Sequence, residues 1–301
     1  MYQKETQSGN FRKKEQTSGA LQGRLAAVTG ATGILGGELC RLLLQNGADL
    51  VLLCRSRQKA EQLCGRLRQE FPAASLQVME LDLEQMDSVR AVAQRLSELP
   101  LSLLIHAAGA YHLSRKPGTA GYDPVFQINF VSPYYLTRQL LPTLRCQPDA
   151  RVVAVGSIAY RFAPINPQDV DFSSRREPRF VYGNAKRFLM FSLGELFQYE
   201  KQVSLSLVHP GITPTGITAH YPKALSALIY LPMRLLFTPP RRAVRSLFRG
   251  VLEPCGSETW IGPRFFGIWG RPRKQRLTGV SQQERRQIGA LAEAIYQSLL
   301  S

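Results

Sequence analysis

The stretch "RLAAVTGATGILGGELCRLLLQNG", Arg24 to Gly47, decides the fold. "LAAVT" is short and apolar and reads as a buried strand. "GGELCRLLLQNG" carries apolar residues at helical spacing and stops on Gly47, a residue suited to a helix C-terminus. Between them stand Gly30, Gly33 and Gly36. Glycine lets the backbone turn sharply and approach a phosphate closely. The helix that follows offers unpaired N–H groups and the positive end of a dipole. Strand, glycine turn and helix in that order make a dinucleotide-binding unit, with Thr29, Gly30, Thr32, Gly33, Ile34, Leu35 and Gly36 nearest the pyrophosphate. The competing reading is a tight structural turn.

The alternation continues down the chain. "ADLVLLCRSR" (48–57) reads as a second strand, "SLQVMELDL" (75–83) as a third, "SLLIHAAG" (102–109) as a fourth, "ARVVAVGS" (150–157) as a fifth and "VSLSLVHP" (203–210) as a sixth. Helical patterns cover residues 57–70, 86–98 and 123–145. This order predicts an α/β fold, a single doubly wound parallel sheet of about seven strands with helices on both faces. Ligands then bind at the carboxyl ends of the strands. Asp82 with Leu83, Ala108 with Gly109, and Ser157 all fall at such ends. Asp82 is placed to accept from an adenine amine, or to cap a loop or helix.

The second strand ends in Cys54, Arg55, Ser56 and Arg57. A carboxylate there would bind the ribose 2′-hydroxyl of NAD, whereas arginine suits a 2′-phosphate. The cofactor read from this position is NADP(H) in preference to NAD(H), with Arg55 as the leading contact and Arg57 in support. The alternative is a pair of solvated surface arginines.

"YGNAK" places Tyr182 and Lys186 four residues apart, on one face of a helix. A free phenol is a poor acid or base at neutral pH, and a nearby ammonium favours its phenolate. With Ser157 at the end of the fifth strand, the chain resembles the short-chain dehydrogenase/reductase family, from about Leu25 to Gly262. The resemblance rests on TGATGILG (29–36), Asp82-Leu83, HAAG (106–109), Asn129, Ser157, YGNAK and HPGITPT (209–215). It implies a Rossmann-type fold and hydride transfer between NAD(P) and an alcohol or carbonyl. It also implies roles: Tyr182 as general acid or base, Lys186 on the nicotinamide ribose and lowering the Tyr182 pKa, Ser157 on the substrate oxygen, and Asn129 holding a relay water. Pro210, Gly211 and Ile212 would turn beside the nicotinamide, with Thr215 bonding its carboxamide or phosphates. Thr215 also fits plain turn chemistry.

Three features depart from the usual pattern. The glycines follow G-x-x-G-x-x-G rather than G-x-x-x-G-x-G, as in extended epimerase-type members. HAAG replaces NNAG, so His106 stands where an asparagine is common; it reads as a structural histidine. The long insert between Ser157 and Tyr182 resembles the retinol-dehydrogenase-like branch, which implies a lipophilic alcohol or carbonyl substrate.

The chain has 301 residues, 44% hydrophobic and 20% charged, enough for one sizeable core. Its five cysteines show no metal-type spacing, so no metal site is expected, and they read as thiols of a reducing, cytoplasmic compartment. Residues 1–22 are polar and read as a flexible arm, leaving 23–301 as the oxidoreductase domain. A formal charge of +16 favours anionic partners, yet no nucleic-acid module is present, so nucleic acid is an unlikely partner. Residues 212–250 read as a substrate lid. Within it, 220–250 is apolar and then basic at Arg241, Arg242, Arg245 and Arg249, which fits peripheral contact with an anionic membrane. "ETWIG" reads as a seventh strand and "SQQERRQIGALAEAIYQSLL" as a terminal helix. Family analogy implies a homodimer or homotetramer. The rival functions are an epimerase-type enzyme and a non-catalytic dinucleotide-binding sensor.

Overall fold

Runs such as Leu50–Leu53 have no polar face, so they are stable only where a sheet is covered on both sides. The computed structural model places them there. It describes residues 19–111, 113, 117–175, 177–212, 238–265 and 267–300. The strands are β1 (Leu25–Thr29), β2 (Asp49–Cys54), β3 (Leu76–Glu80), β4 (Leu101–His106), β5 (Arg151–Val155), β6 (Ser204–Val208), β7 (Thr259–Phe265) and β8 (Trp269–Arg276). Their order across the sheet is β3-β2-β1-β4-β5-β6-β7-β8. All neighbours pair in parallel except β7 and β8. Ala26, Ala27, Val28, Leu50, Leu52, Leu103 and Ile105 are fully buried. Each large aliphatic side chain among them contributes about 1.5–3 kcal/mol of transfer free energy.

The helices are α1 (Ile34–Gln45), α2 (Arg57–Glu70), α3 (Met86–Ser97), α4 (Ser132–Arg145), α5 (Pro178–Leu196), α6 (Pro240–Leu252) and α7 (Gln282–Ser298). One face of the sheet carries α1 beside α6; α3, α4 and α5 lie together on the other. Ser56 caps α2 by accepting from Lys59 N, and Ser281 caps α7 by accepting from Glu284 N. Gly47 closes α1 at φ +89°, a conformation that glycine adopts without strain. The terminal helix docks on α4 and α5. There Arg187, nearly buried, pairs with Glu284 at 2.7 Å and donates to the Tyr160 carbonyl at 2.8 Å, while Arg138 pairs with Glu293.

Three sequence expectations change. The sheet has eight strands, not about seven. β8, "WGRPRKQR", is an antiparallel edge strand with almost every residue exposed, so it carries no apolar alternation to read. The packed body begins inside the stretch assigned to the arm: Leu21 is buried and donates from its backbone N–H to the Asn46 carbonyl. Residues 1–18 lie outside the described residues. The lid reading also narrows. Residues 240–250 belong to α6, which packs Ala243, Val244, Leu247 and Val251 against α1 and the sheet, and residues 213–237 lie outside the described residues.

Candidate functional site

Strand order reverses between β1 and β4, which run side by side with Thr29 opposite His106. Connections leave this point in opposite directions and open a crevice at the strand ends. The glycine turn sits there. Gly30 has φ +66°, and a Cβ on it would lie 2.7 Å from the Ala108 Cα. A Cβ on Gly36 would lie 2.2 Å from the Gly30 carbonyl oxygen. Backbone therefore fills the space that side chains would need. Thr29 ties the two strand ends together, its Oγ1 accepting from the N–H groups of Ala107 and Ala108 at 3.1 Å each. Thr32, Gly33 and Ile34 are exposed at the start of α1, while Leu35 is half-buried and packs on the core. Beside the turn, a cleft of about 550 Å³ is lined by Thr32, Gly33 and Ile34 and by Lys59 and Arg66 of α2.

Across the crevice stand the residues after β5. Ser157 caps a 3₁₀ turn, Ile158–Phe162, and accepts from Ala159 N at 3.2 Å. Its hydroxyl lies near the Tyr182 phenol and favours the ionised form of that phenol. Tyr182 is on the first part of α5, edge-on to Tyr111 with ring centroids 5.4 Å apart. Lys186, one turn further along, has its Nζ 5.7 Å from the Tyr182 ring centroid and donates to the Val155 carbonyl at 2.8 Å. Burial pushes the Lys186 amine down to about 7. Burial likewise pushes the Tyr182 phenol up to about 12; the Ser157 hydroxyl opposes that rise and Tyr111 adds to it. In the chain alone, desolvation thus outweighs the lowering that a neighbouring ammonium would give.

Asn129 sits in a π-helical turn, Gln127–Val131, just before α4. Its Nδ2 donates to the carbonyls of Ala110 and Val125 at 2.7 and 2.8 Å. Its Oδ1 is buried without a partner, 3.0 Å from where a Cβ on Gly109 would stand. A buried acceptor in that condition, beside a glycine, marks space for a ligand or water. His106 is a structural group. Its Nε2 contacts Thr137 Oγ1 at 2.9 Å, and that hydroxyl already donates to the Pro133 carbonyl, so Nε2 carries the proton. Burial pushes His106 down to about 3.

The other sequence-predicted residues divide. Pro210, Gly211 and Ile212 follow β6; Gly211 has φ +86°, and Thr238 N donates to the Ile212 carbonyl at 2.9 Å. Thr215 lies outside the described residues. Asp82 Oδ1 accepts from Glu84 N at 3.0 Å, the loop-cap geometry, and Leu83 is buried. Arg55 is well exposed and 3.6 Å from Glu84. Arg57 is not at a strand end: it opens α2 and pairs with Glu61 one turn on. Sequence reasoning does not single out Lys59, which folding brings to the cleft beside the glycine turn, or Tyr111, which folding sets against Tyr182.

The model of the short chain dehydrogenase family matches residues 24–169. Retinol dehydrogenase 14 of Mus musculus is 32% identical over 270 residues, covering 84% of this chain and 78% of its own. The chain belongs to the short chain dehydrogenase family. Polyprenol dehydrogenase of Homo sapiens is 28% identical over 239 residues, covering 76% of this chain and 72% of its own. A crystal structure of a protein from Mycobacterium paratuberculosis superposes with a TM-score of 0.70 at 24% identity, over 93% of this chain and 94% of that one, a likeness of fold. This short chain dehydrogenase falls in the retinol-dehydrogenase-like branch and is an NAD(P)-dependent oxidoreductase of alcohol and carbonyl groups. The tight turn built on Gly30 and Gly36, and Gly109 beside the unpartnered Asn129 Oδ1, fit a dinucleotide.

Proposed function

We propose that this short chain dehydrogenase interconverts a hydrophobic alcohol and its carbonyl with NADP(H) in preference to NAD(H), using Tyr182 as general acid and base. The observation that carries the reading is the placement of Ser157 beside the Tyr182 phenol, with Lys186 one turn further along the same helix. The nicotinamide, when bound, supplies or accepts the hydride. What remains for the chain is position and a proton. At neutral pH the Tyr182 phenol holds its proton, which suits it to protonate a carbonyl oxygen during reduction. Ser157 holds that oxygen and stabilises the charge that develops on it. Lys186 offers N–H groups to ribose hydroxyls, and its charged form favours the phenolate in the oxidation direction. Asn129 Oδ1 is left to accept from a water leading to Lys186.

Arg55 and Lys59 support the preference for a 2′-phosphate. Among the described residues Arg55, itself well exposed, pairs with Glu84 alone, a contact worth about 0–1 kcal/mol. It is therefore available to a phosphate, which accepts paired hydrogen bonds. Lys59 lines the cleft that begins at Thr32. Relatives named for retinol and polyprenol, both lipophilic alcohols, support the substrate class. No observation favours the epimerase-type or sensor readings.

The test is cofactor-linked absorbance against a panel of retinoid, steroid and fatty carbonyl compounds, with NADPH and NADH titrated in parallel. NADPH should bind more tightly, Arg55→Ala should erase the difference, and lipophilic carbonyls should be reduced. Equal binding of both cofactors to the wild type would refute the preference.

A further inference from the structure

The last two strands are joined at a turn that touches the catalytic crevice. A Cβ on Gly267 would meet Ile158 Cγ2 at 2.7 Å and His209 Cδ2 at 3.6 Å; Ile158 follows Ser157 and His209 precedes the nicotinamide turn. The Ile268 carbonyl accepts from Thr238 Oγ1 at 3.0 Å. Beside this turn Phe265 and Trp269 face each other across the strands, 52% and 40% exposed. Arg264, Arg271, Arg273 and Lys274 are exposed around them. Among the described residues no carboxylate pairs with Arg264, Arg271 or Arg273. Helix α6, whose Arg249 donates to the Pro272 carbonyl at 2.7 Å, adds further exposed arginines alongside.

We infer that the β7–β8 hairpin docks on an anionic lipid bilayer, Phe265 and Trp269 entering the interface and the arginines meeting the headgroups. An exposed edge strand gains protection from charge and proline, which Pro272, Lys274 and Arg276 supply. That need does not account for two large exposed aromatic residues at opposite register positions flanking the turn. Aromatic rings flanked by long cationic side chains match the bilayer interface, where the ring is half apolar and the charge meets anionic lipid. No helix among the described residues is long and apolar enough to cross a membrane. Docking here sets the crevice mouth against the lipid from which a lipophilic substrate enters. That last step rests on the substrate class proposed above; the docking does not.

The test is co-sedimentation of the full chain with phosphatidylcholine vesicles, with and without phosphatidylserine, followed by tryptophan emission. The chain has two tryptophans, and Trp260 is 2% exposed and stacked on His209, so a change reports Trp269. The chain should bind only the anionic vesicles and its emission should shift to the blue, a shift that Trp269→Phe removes. Each arginine near an anionic surface is worth about fivefold, so Arg271→Gln with Arg273→Gln should weaken partition about 25-fold. Arg95→Gln with Lys201→Gln, on α3 and after α5, removes the same charge and should weaken it far less. NADPH binding should be unchanged in both. Failure to bind, equal loss in the two pairs, unshifted emission, or capture by RNA in preference to vesicles at the same salt would each overturn the docking. Binding through the hairpin with no carbonyl turnover would sink the oxidoreductase reading alone.

Discussion

The Lys186 Nζ lies 5.7 Å from the centroid of the Tyr182 ring and is anchored by the Val155 carbonyl, and among the described residues no carboxylate pairs with it. The amine is therefore buried without a counter-charge, and its pKa falls to about 7 from an ordinary 10.5. Between those values the unfolded chain binds more protons at this site than the folded one. The Lys186 contribution to stability therefore rises with pH across that window. We expect Lys186→Met to raise the melting temperature of the cofactor-free chain near neutral pH. The gap should shrink toward pH 10.5. Melting curves across that range check it; a pH-independent difference contradicts the burial argument.

A second expectation contrasts two helical glycines. Gly36→Ala would drive a methyl to within 2.2 Å of the Gly30 carbonyl, where the neighbour is backbone. It should cost ~3 kcal/mol and abolish dinucleotide binding. Gly65, exposed within α2, has nothing within 4 Å of a new Cβ. Gly65→Ala should stabilise the fold by ~0.5–1 kcal/mol. Denaturant unfolding measures both, and equal effects would show the glycine turn to be looser than described.

Acid should weaken the fold before its carboxylates titrate. His106 is pushed down to about 3 and His209 to about 4, both by burial. Below the ordinary histidine value of 6.5 the unfolded chain takes up protons that the folded chain refuses, so stability falls as pH drops from 6.5 toward 4. Burial raises Glu200 and Glu293, but Arg145 on the first and Gln297 with Arg138 on the second hold both below their ordinary value, so they contribute only at lower pH. His106→Gln should flatten the acid limb of a stability–pH curve. An unchanged limb would mean that His106 titrates normally.

The parts of the fold that could be read from sequence are those where one physical signal dominates. LAAVT is apolar throughout because β1 is covered on both faces, and Gly30 and Gly36 stand where backbone meets backbone. Tyr182 and Lys186 could be paired because helical spacing alone joins them. β8 escaped because an edge strand exposed on both faces has no alternation. The π-helical turn at Gln127–Val131 left no mark in an apolar run that reads as one helix, although it holds Asn129. The Arg55–Glu84 pair crosses from one strand end to the next and exists only once β2 and β3 are aligned. The helical pattern from residue 57 matches α2, which Ser56 caps, so Arg57 stands on the first turn of that helix, three residues past the end of β2.

The most direct test of the account is Tyr182→Phe, assayed for NADPH binding and for carbonyl reduction in the same preparation. The ring would keep its edge contact with Tyr111 and lose only the hydroxyl beside Ser157. The account predicts NADPH binding within about twofold of wild type, the spread of a near-neutral change of ~0.5 kcal/mol. Loss of a general acid should lower turnover by about 10²–10⁴-fold. Turnover retained with binding intact would contradict it.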